Sequence, residues 1–100
     1  MPRVLEPEEI NRQLVDHQRW SADDALIGQF DFTSFEAAIR FVDAVASEAT
    51  EMDHHPDIDI RYDTVVLTLV THSEGGCTQM DIELALRADR IFEEMASKGA

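Results

Sequence analysis

"DIDIRYDTVVLTLVTH", residues 57–72, reads as two strands with almost nothing between them. Its first half, Asp57 to Ile60, alternates polar and apolar residues, the period of a half-buried strand. "TVVLTLVTH", residues 64–72, is rich in the β-branched side chains that suit a pleated surface. Val65, Leu67 and Leu69 would face a core, with Thr68, Val70 and His72 facing the other way. Only Asp63 and its immediate neighbours separate the runs, so a tight antiparallel hairpin is expected.

Upstream of the hairpin stands "DHHP", residues 53–56, and before it a long helical pattern. Phe35, Ala38, Ile39, Val42, Val45, Ala49 and Met52 fall on one stripe. Thr33 and Glu36 stand at capping-box spacing at its start. Pro56 disfavours helical geometry in the residue before it, so the helix must end by about His55.

"ALIGQFDF", residues 25–32, alternates with Leu26, Gly28, Phe30 and Phe32 on one face and predicts another strand. Gly28 marks a bulge or a close backbone approach. A short strand near residues 21–24 would extend the sheet. Pro7 suits a first helical position, and Glu8 and Glu9 suit the positive end of that helix. Ile10 and Leu14 then share a face running toward Trp20, which reads as a core plug, and His17 reads as a surface residue. Downstream, "SEGG" is a loop, Thr78 can cap a last helix, and Ile82, Ala85, Leu86 and Met95 line one side of it, widened by Ile91 and Phe92. This order predicts an α+β fold: a four-stranded antiparallel sheet with helices packed on one face.

Composition bounds what the chain can do. At 100 residues it is expected to form a single domain with a modest core. Its 21 acidic against 8 basic residues give a net charge of −13, a field that repels a phosphate backbone, so no nucleic-acid partner is expected. No apolar run approaches the ~20 residues of a membrane span, and the N-terminal stretch lacks an apolar signal core. The lone Cys77 excludes an internal disulfide, fits a reducing cytoplasm, and reads as a small semi-buried hydrophobe.

Four groups carry chemistry: His54, His55, His72 and Asp81. An antiparallel hairpin sets the start of its first strand beside the end of its second, so His54 and His55 approach His72. Asp81, in the first turn of the last helix, would join them at one edge of the sheet. Histidine gains and loses protons near neutrality, and a carboxylate orients an imidazole, so the set fits acid–base catalysis. Taken singly, each residue has a plainer reading: a surface or helix-end histidine, or an aspartate satisfying helix-start N–H groups. A metal site is the sharper rival, but neighbouring side chains on an extended chain point apart, and neither HExxH nor CxxC occurs. No metal is therefore expected.

"DHHPDIDIRYDTVVLTLVTHSEGGCTQMD" resembles the pterin-4a-carbinolamine dehydratase family. That family carries adjacent histidines and a proline, then an aromatic residue, a histidine and an aspartate; here these are His54, His55, Pro56, Tyr62, His72 and Asp81. "RWSADDALIGQFDFTSFEAAIRFVDAVASEA" is similar to the family's tryptophan, aromatic-rich strand and long helix. The resemblance runs from about Leu14 to about Ile91 and implies several things. The fold would be a four-stranded antiparallel sheet with helices on one side. The activity would be a hydro-lyase reaction, the removal of water from 4a-hydroxytetrahydropterin to give the quinonoid dihydropterin, with no metal or other cofactor. That reaction recycles the pterin cofactor of aromatic amino acid hydroxylases. His54 and His72 would serve as acid and base, Asp81 would orient His72 or hold its charge, and His55, Pro56, Thr71 and Ser73 would contact the pterin. A homodimer or homotetramer is implied, as is a possible protein partner, since some members stabilise a transcription factor's dimers or assist assembly of a larger enzyme. Where the family usually has an acidic residue four places before the first histidine, this chain has Thr50, with Glu51 one place late.

Overall fold

The computed structural model describes residues 3–97. The elements run α1 (Pro7–Gln13), β1 (Ser21–Ala22), β2 (Leu26–Asp31), α2 (Phe35–Met52), β3 (Asp57–Arg61), β4 (Thr64–Leu69), a 3-10 turn (His72–Glu74) and α3 (Gln79–Ser97). The sheet is antiparallel throughout, in the order β1-β2-β4-β3. The α+β architecture expected from the sequence is the one observed.

The hairpin sets the register. Arg61 pairs with Thr64, so the turn is the two residues Tyr62 and Asp63, with Tyr62 at a φ of 54°. Leu67 then pairs with Gly28 on one side and Ile58 on the other, which aligns one set of side chains across three strands. Leu26 and Phe30 of β2 and Val65, Leu67 and Leu69 of β4 point into the core, where Phe41, Val45 and Ala49 of α2 and Ile82, Ala85 and Ala88 of α3 meet them. The next residues along β2, Ile27, Gln29 and Asp31, are exposed on the opposite face.

Phe30 sits at the centre of an aromatic cluster. Its ring centroid lies 4.6 Å from that of Phe41, 5.4 Å from Phe92 and 5.7 Å from Trp20, the last edge-on. Tilted and edge-on pairs of this kind add about 0.5–1.5 kcal/mol each beyond the area they bury. Gly28 is the close approach that its place in the strand suggested, and the neighbour is a side chain. A Cβ there would lie 2.7 Å from the Trp20 ring.

Three local expectations are corrected. The cap of α2 is Ser34, whose hydroxyl accepts from the Ala37 N–H at 3.1 Å; with Phe35 as the first helical residue, Thr33 lies outside the helix and the Thr33–Glu36 box does not form. The buried stripe of α2 is Ala37, Ala38, Phe41, Val45 and Ala49, rotated toward Phe41, while Phe35 at the helix start is exposed and stacks on Tyr62. On α3 the buried stripe gains Leu84 and Ala88, and Leu86 is only partly buried.

His17, expected as a surface residue of α1, lies beyond that helix and reaches back into the structure. Its Nδ1 is 2.6 Å from Oδ2 of Asp89, a buried α3 side chain that also takes the Trp20 indole N–H at 3.2 Å and an Arg19 ion pair at 3.2 Å. Arg19 lies over the Phe30 and Phe92 rings, 4.2 and 4.5 Å from their centroids. A buried carboxylate with several donors around it avoids the penalty of an unpaired charge. This cluster ties the segment between α1 and β1 to α3.

Candidate functional site

The site begins where α2 stops. Asp53 takes a left-handed conformation (φ 52°, ψ 43°), which aspartate tolerates better than most residues. Its N–H reaches Thr50 O at 3.2 Å and the His54 N–H reaches Ala49 O at 3.0 Å, the bond pattern of a Schellman helix end. The chain therefore reverses before Pro56 rather than at it. His54 is swung toward the start of α3, and Pro56 leads into β3.

At the other end of the hairpin, β4 gives way at Leu69 and Thr71 bridges to Gly76 across the 3-10 turn. The Thr71 N–H donates to Gly76 O, and Thr71 O accepts from Glu74 and Gly75, each at 3.0 Å. Gly75, at a φ of 75°, closes the turn in a conformation that glycine adopts without steric cost. Thr78 then starts α3, its hydroxyl accepting from the Met80 N–H at 3.2 Å.

These two ends meet at Asp81, whose side chain is fully buried. Its Oδ1 lies 2.6 Å from His54 Nε2, and its Oδ2 accepts from the Thr71 hydroxyl at 2.8 Å and the Thr78 N–H at 2.9 Å. The Thr71 and Thr78 hydroxyls are themselves 2.8 Å apart. Three donors thus converge on one carboxylate, and a carboxylate that only accepts requires the proton on Nε2 of His54. Nδ1 is then the ring nitrogen left to exchange a proton with anything outside. The His54 side chain is 12% exposed, so it spans the boundary between the buried acid and solvent.

Of the four residues singled out by the sequence, His54 and Asp81 are brought into contact. Asp81 meets His54 rather than His72. His72 follows Thr71 directly and His55 follows His54, so both stand at this end of the sheet, but both are exposed and neither imidazole hydrogen-bonds to another described residue. Ser73 is exposed with its hydroxyl 3.4 Å from Glu74, and Pro56 is half-buried. Glu51, beside the Thr50 departure, is held by Arg87 of α3 at 2.7 Å, together with Glu48 at 2.8 Å and Glu83 at 2.9 Å. Those three carboxylates raise the already high affinity of the Arg87 guanidinium for its proton.

Among the described residues no three His, Cys, Asp or Glu side chains are grouped as metal ligands, and no helix is long and apolar enough to cross a membrane. Two clefts of about 300 and 310 Å³ flank α1, and neither is lined by His54, His55, His72 or Asp81. The Thr71–Thr78 hydroxyl contact was missed by the sequence reading. The T-x-x-D spacing of Thr78 and Asp81 signals the Thr78 N–H bond to Asp81, and nothing local signals the contact between the two hydroxyls.

The family model described as pterin 4 alpha carbinolamine dehydratase matches residues 3–91. A Mycobacterium avium protein that carries the pterin-4-alpha-carbinolamine dehydratase name provisionally is 51% identical over 83 residues, covering 82% of this chain and 88% of its own. A provisionally named dehydratase of Chloroflexus aurantiacus is 46% identical over 93 residues, 92% of this chain and 99% of its own. Among solved structures, a Brucella melitensis transcriptional coactivator/pterin dehydratase superposes with a TM-score of 0.84 at 34% identity, covering 89% of this chain and 98% of the other. A pterin dehydratase-like protein described as a RuBisCO assembly factor in the alpha-carboxysome superposes with a TM-score of 0.65 at 26% identity, over 76% of this chain and 92% of the other.

Proposed function

The chain belongs to the pterin 4 alpha carbinolamine dehydratase family, and from that premise we propose that it dehydrates 4a-hydroxytetrahydropterin to the quinonoid dihydropterin by histidine acid–base catalysis. The observation that carries the reading is the His54–Asp81 contact of 2.6 Å. A buried carboxylate that takes three donors holds the Nε2 edge of the imidazole and leaves Nδ1 for chemistry.

The reaction asks for two proton movements. The 4a-hydroxyl leaves as water only when it gains a proton, and the ring nitrogen beside it must lose one as the C=N bond forms. His54 and His72 supply the two groups, one as acid and one as base. As His54 becomes an imidazolium, the Asp81 carboxylate stabilises it without taking its proton. His55, Pro56 and Ser73 contribute the surface against which the pterin lies. No metal or cofactor enters the scheme. The product would return to the hydroxylases, in the cytoplasm, only after a separate reductase had added two electrons and two protons to regenerate the tetrahydropterin.

Stopped-flow loss of 4a-hydroxytetrahydropterin should accelerate with added protein. Replacing both His54 and His72 by alanine should lower kcat/KM at least ~100-fold, the scale of lost general acid–base catalysis. No acceleration above the buffer-catalysed rate by the wild-type protein rejects the proposal.

A second reading is a partner protein without catalysis, acting in dimerisation or assembly. The likeness to a coactivator and to an assembly factor supports it, as does the exposed Phe35–Tyr62 stack at the end of β3, ring planes 7° apart. β3 is also an edge strand, whose unpaired backbone groups offer a place for a second copy in a homodimer or homotetramer. If His54→Ala leaves the cellular phenotype unchanged, the partner reading replaces the enzyme.

A further inference from the structure

Thr71 has no polar group to spare for a ligand. It is 7% exposed, its N–H and C=O are both engaged across the 3-10 turn, and its hydroxyl is committed inward. Thr78 is fully buried, and its hydroxyl oxygen already takes the Met80 N–H. A buried hydroxyl proton needs an acceptor, and the one within reach is Thr71 Oγ1, 2.8 Å away. That fixes the direction of every bond in the chain. Met80 N–H donates to Thr78 Oγ1, Thr78 O–H to Thr71 Oγ1, Thr71 O–H to Asp81 Oδ2, and His54 Nε2–H to Asp81 Oδ1.

A chain that starts at a backbone amide cannot pass a proton along, because the amide does not release one. It can only orient. We propose that Thr71 and Thr78 are positioning residues: their hydroxyls fix the rotation of the Asp81 carboxylate and through it hold His54 as the Nε2–H tautomer, leaving Nδ1 to exchange the proton with substrate. This assigns Thr71 a role different from the substrate contact its place in the sequence suggests, and it rests on the dehydratase reading only for the word substrate. The tautomer is a property of the free protein.

The test pairs Thr71→Val with Thr71→Ser, and Thr78→Val with Thr78→Ser. Valine keeps the shape and removes the hydroxyl; serine keeps the hydroxyl. Long-range ¹⁵N NMR of the imidazoles should find His54 as the Nε2–H tautomer in the wild type and in both serine variants. In Thr71→Val the loosened carboxylate turns away part of the time, and the ring should show a mixture of tautomers. With pterin substrate, kcat should fall roughly tenfold in Thr71→Val, the effect of one lost hydrogen bond to a charged group, and by less in Thr78→Val, whose hydroxyl reaches the carboxylate only through Thr71, while KM stays within about twofold in both. Serine should restore most of it. A wild-type His54 carrying its proton on Nδ1, or a Thr71→Val protein with an unchanged tautomer and unchanged kcat, overturns the proposal. In a wild-type protein that does not dehydrate the pterin, a tautomer held in the wild type and mixed in Thr71→Val rejects the dehydratase reading and supports the orienting role of the threonines, and a tautomer held in both rejects that role as well.

Discussion

Asp81→Asn changes two atoms' chemistry and almost no volume, so it isolates what the carboxylate does. Oδ2 takes two donors, the Thr71 hydroxyl and the Thr78 N–H, whereas Oδ1 takes one, from His54. The amide oxygen of asparagine will occupy the two-donor position, because the NH₂ group placed there would face two donors. Its NH₂ then points at His54 Nε2. An N–H facing an N–H is repulsive, so the imidazole answers by moving its proton to Nδ1 and accepting at Nε2. The fold keeps its bonds to Thr71 and Thr78 and loses one charged bond, a cost of about 1–2 kcal/mol. That lowers Tm by about 4–16 °C for a domain of this size. With His54 as the base of the proposed dehydration, the chemistry loses more, because Nδ1 then carries a proton where a free lone pair is needed. Returning to the productive tautomer requires breaking the new hydrogen bond against a repulsive contact, about 1.5–3 kcal/mol, which is about 10- to 150-fold in rate. Thermal unfolding by circular dichroism, ¹⁵N NMR of His54 and stopped-flow dehydration measure the three quantities on one sample. A variant with the reversed tautomer and a rate within twofold of wild type refutes the assignment of Nδ1 as the working nitrogen.

Gly28→Ala should destabilise the protein by about 1–3 kcal/mol in urea unfolding, because its Cβ would meet three Trp20 ring atoms at 2.7–2.9 Å and the Asp89 bond keeps that ring from moving; an alanine variant as stable as wild type would show that the ring can shift. Ser34→Ala should cost about 1 kcal/mol and Thr33→Ala much less, and the reverse ranking would return the cap of α2 to Thr33. Glu9, held by Arg3 at 2.8 Å and by the Glu6 N–H at 3.3 Å, has its carboxyl lowered to about 2, chiefly by the Arg3 hydrogen bond. A group depressed in the folded state stabilises it above its ordinary value near 4.5 and loses that contribution as pH falls toward 2. The difference in stability between wild type and Glu9→Gln should therefore shrink from pH 5 to pH 2 in denaturant titrations, and a gap that stays constant over that range contradicts the clasp.

The fold was legible wherever a local pattern has one physical reading. Val65, Leu67 and Leu69 alternate in a β-branched run, and the core receives them as expected. Leu26, Gly28 and Phe30 do the same. Helix faces were read less well because a stripe on a wheel can rotate by one residue without changing its composition. Phe41 was passed over in favour of Ile39 and Val42, and only packing against Phe30 selects it. Thr33 and Ser34 both look like caps, and the choice depends on where the strand before them lets the chain turn. In the site, chain order predicted that His54, His55, His72 and Asp81 stand at one end of the sheet, where the structure has them, but not which of them are in contact. Asp81 went to His54 because a left-handed Asp53 swings the helix end toward α3, a backbone event with no pattern in the side chains. The His17–Asp89 contact spans 72 residues of chain and has no local signature.

Asp81 and Asp89 sit eight residues apart on one buried stripe of α3, about 12 Å along its axis. Each takes a histidine from a different part of the chain, His54 from the end of α2 and His17 from the approach to β1. The helix therefore acts as a fixed gauge between the proposed proton-transfer site and a distant clasp that holds the chain before β1. A slide of α3 along its axis cannot loosen one contact and spare the other. Substitutions around Trp20 and His17 should consequently be felt at His54 as changes in alignment, so residues remote from the proposed site would share in its geometry.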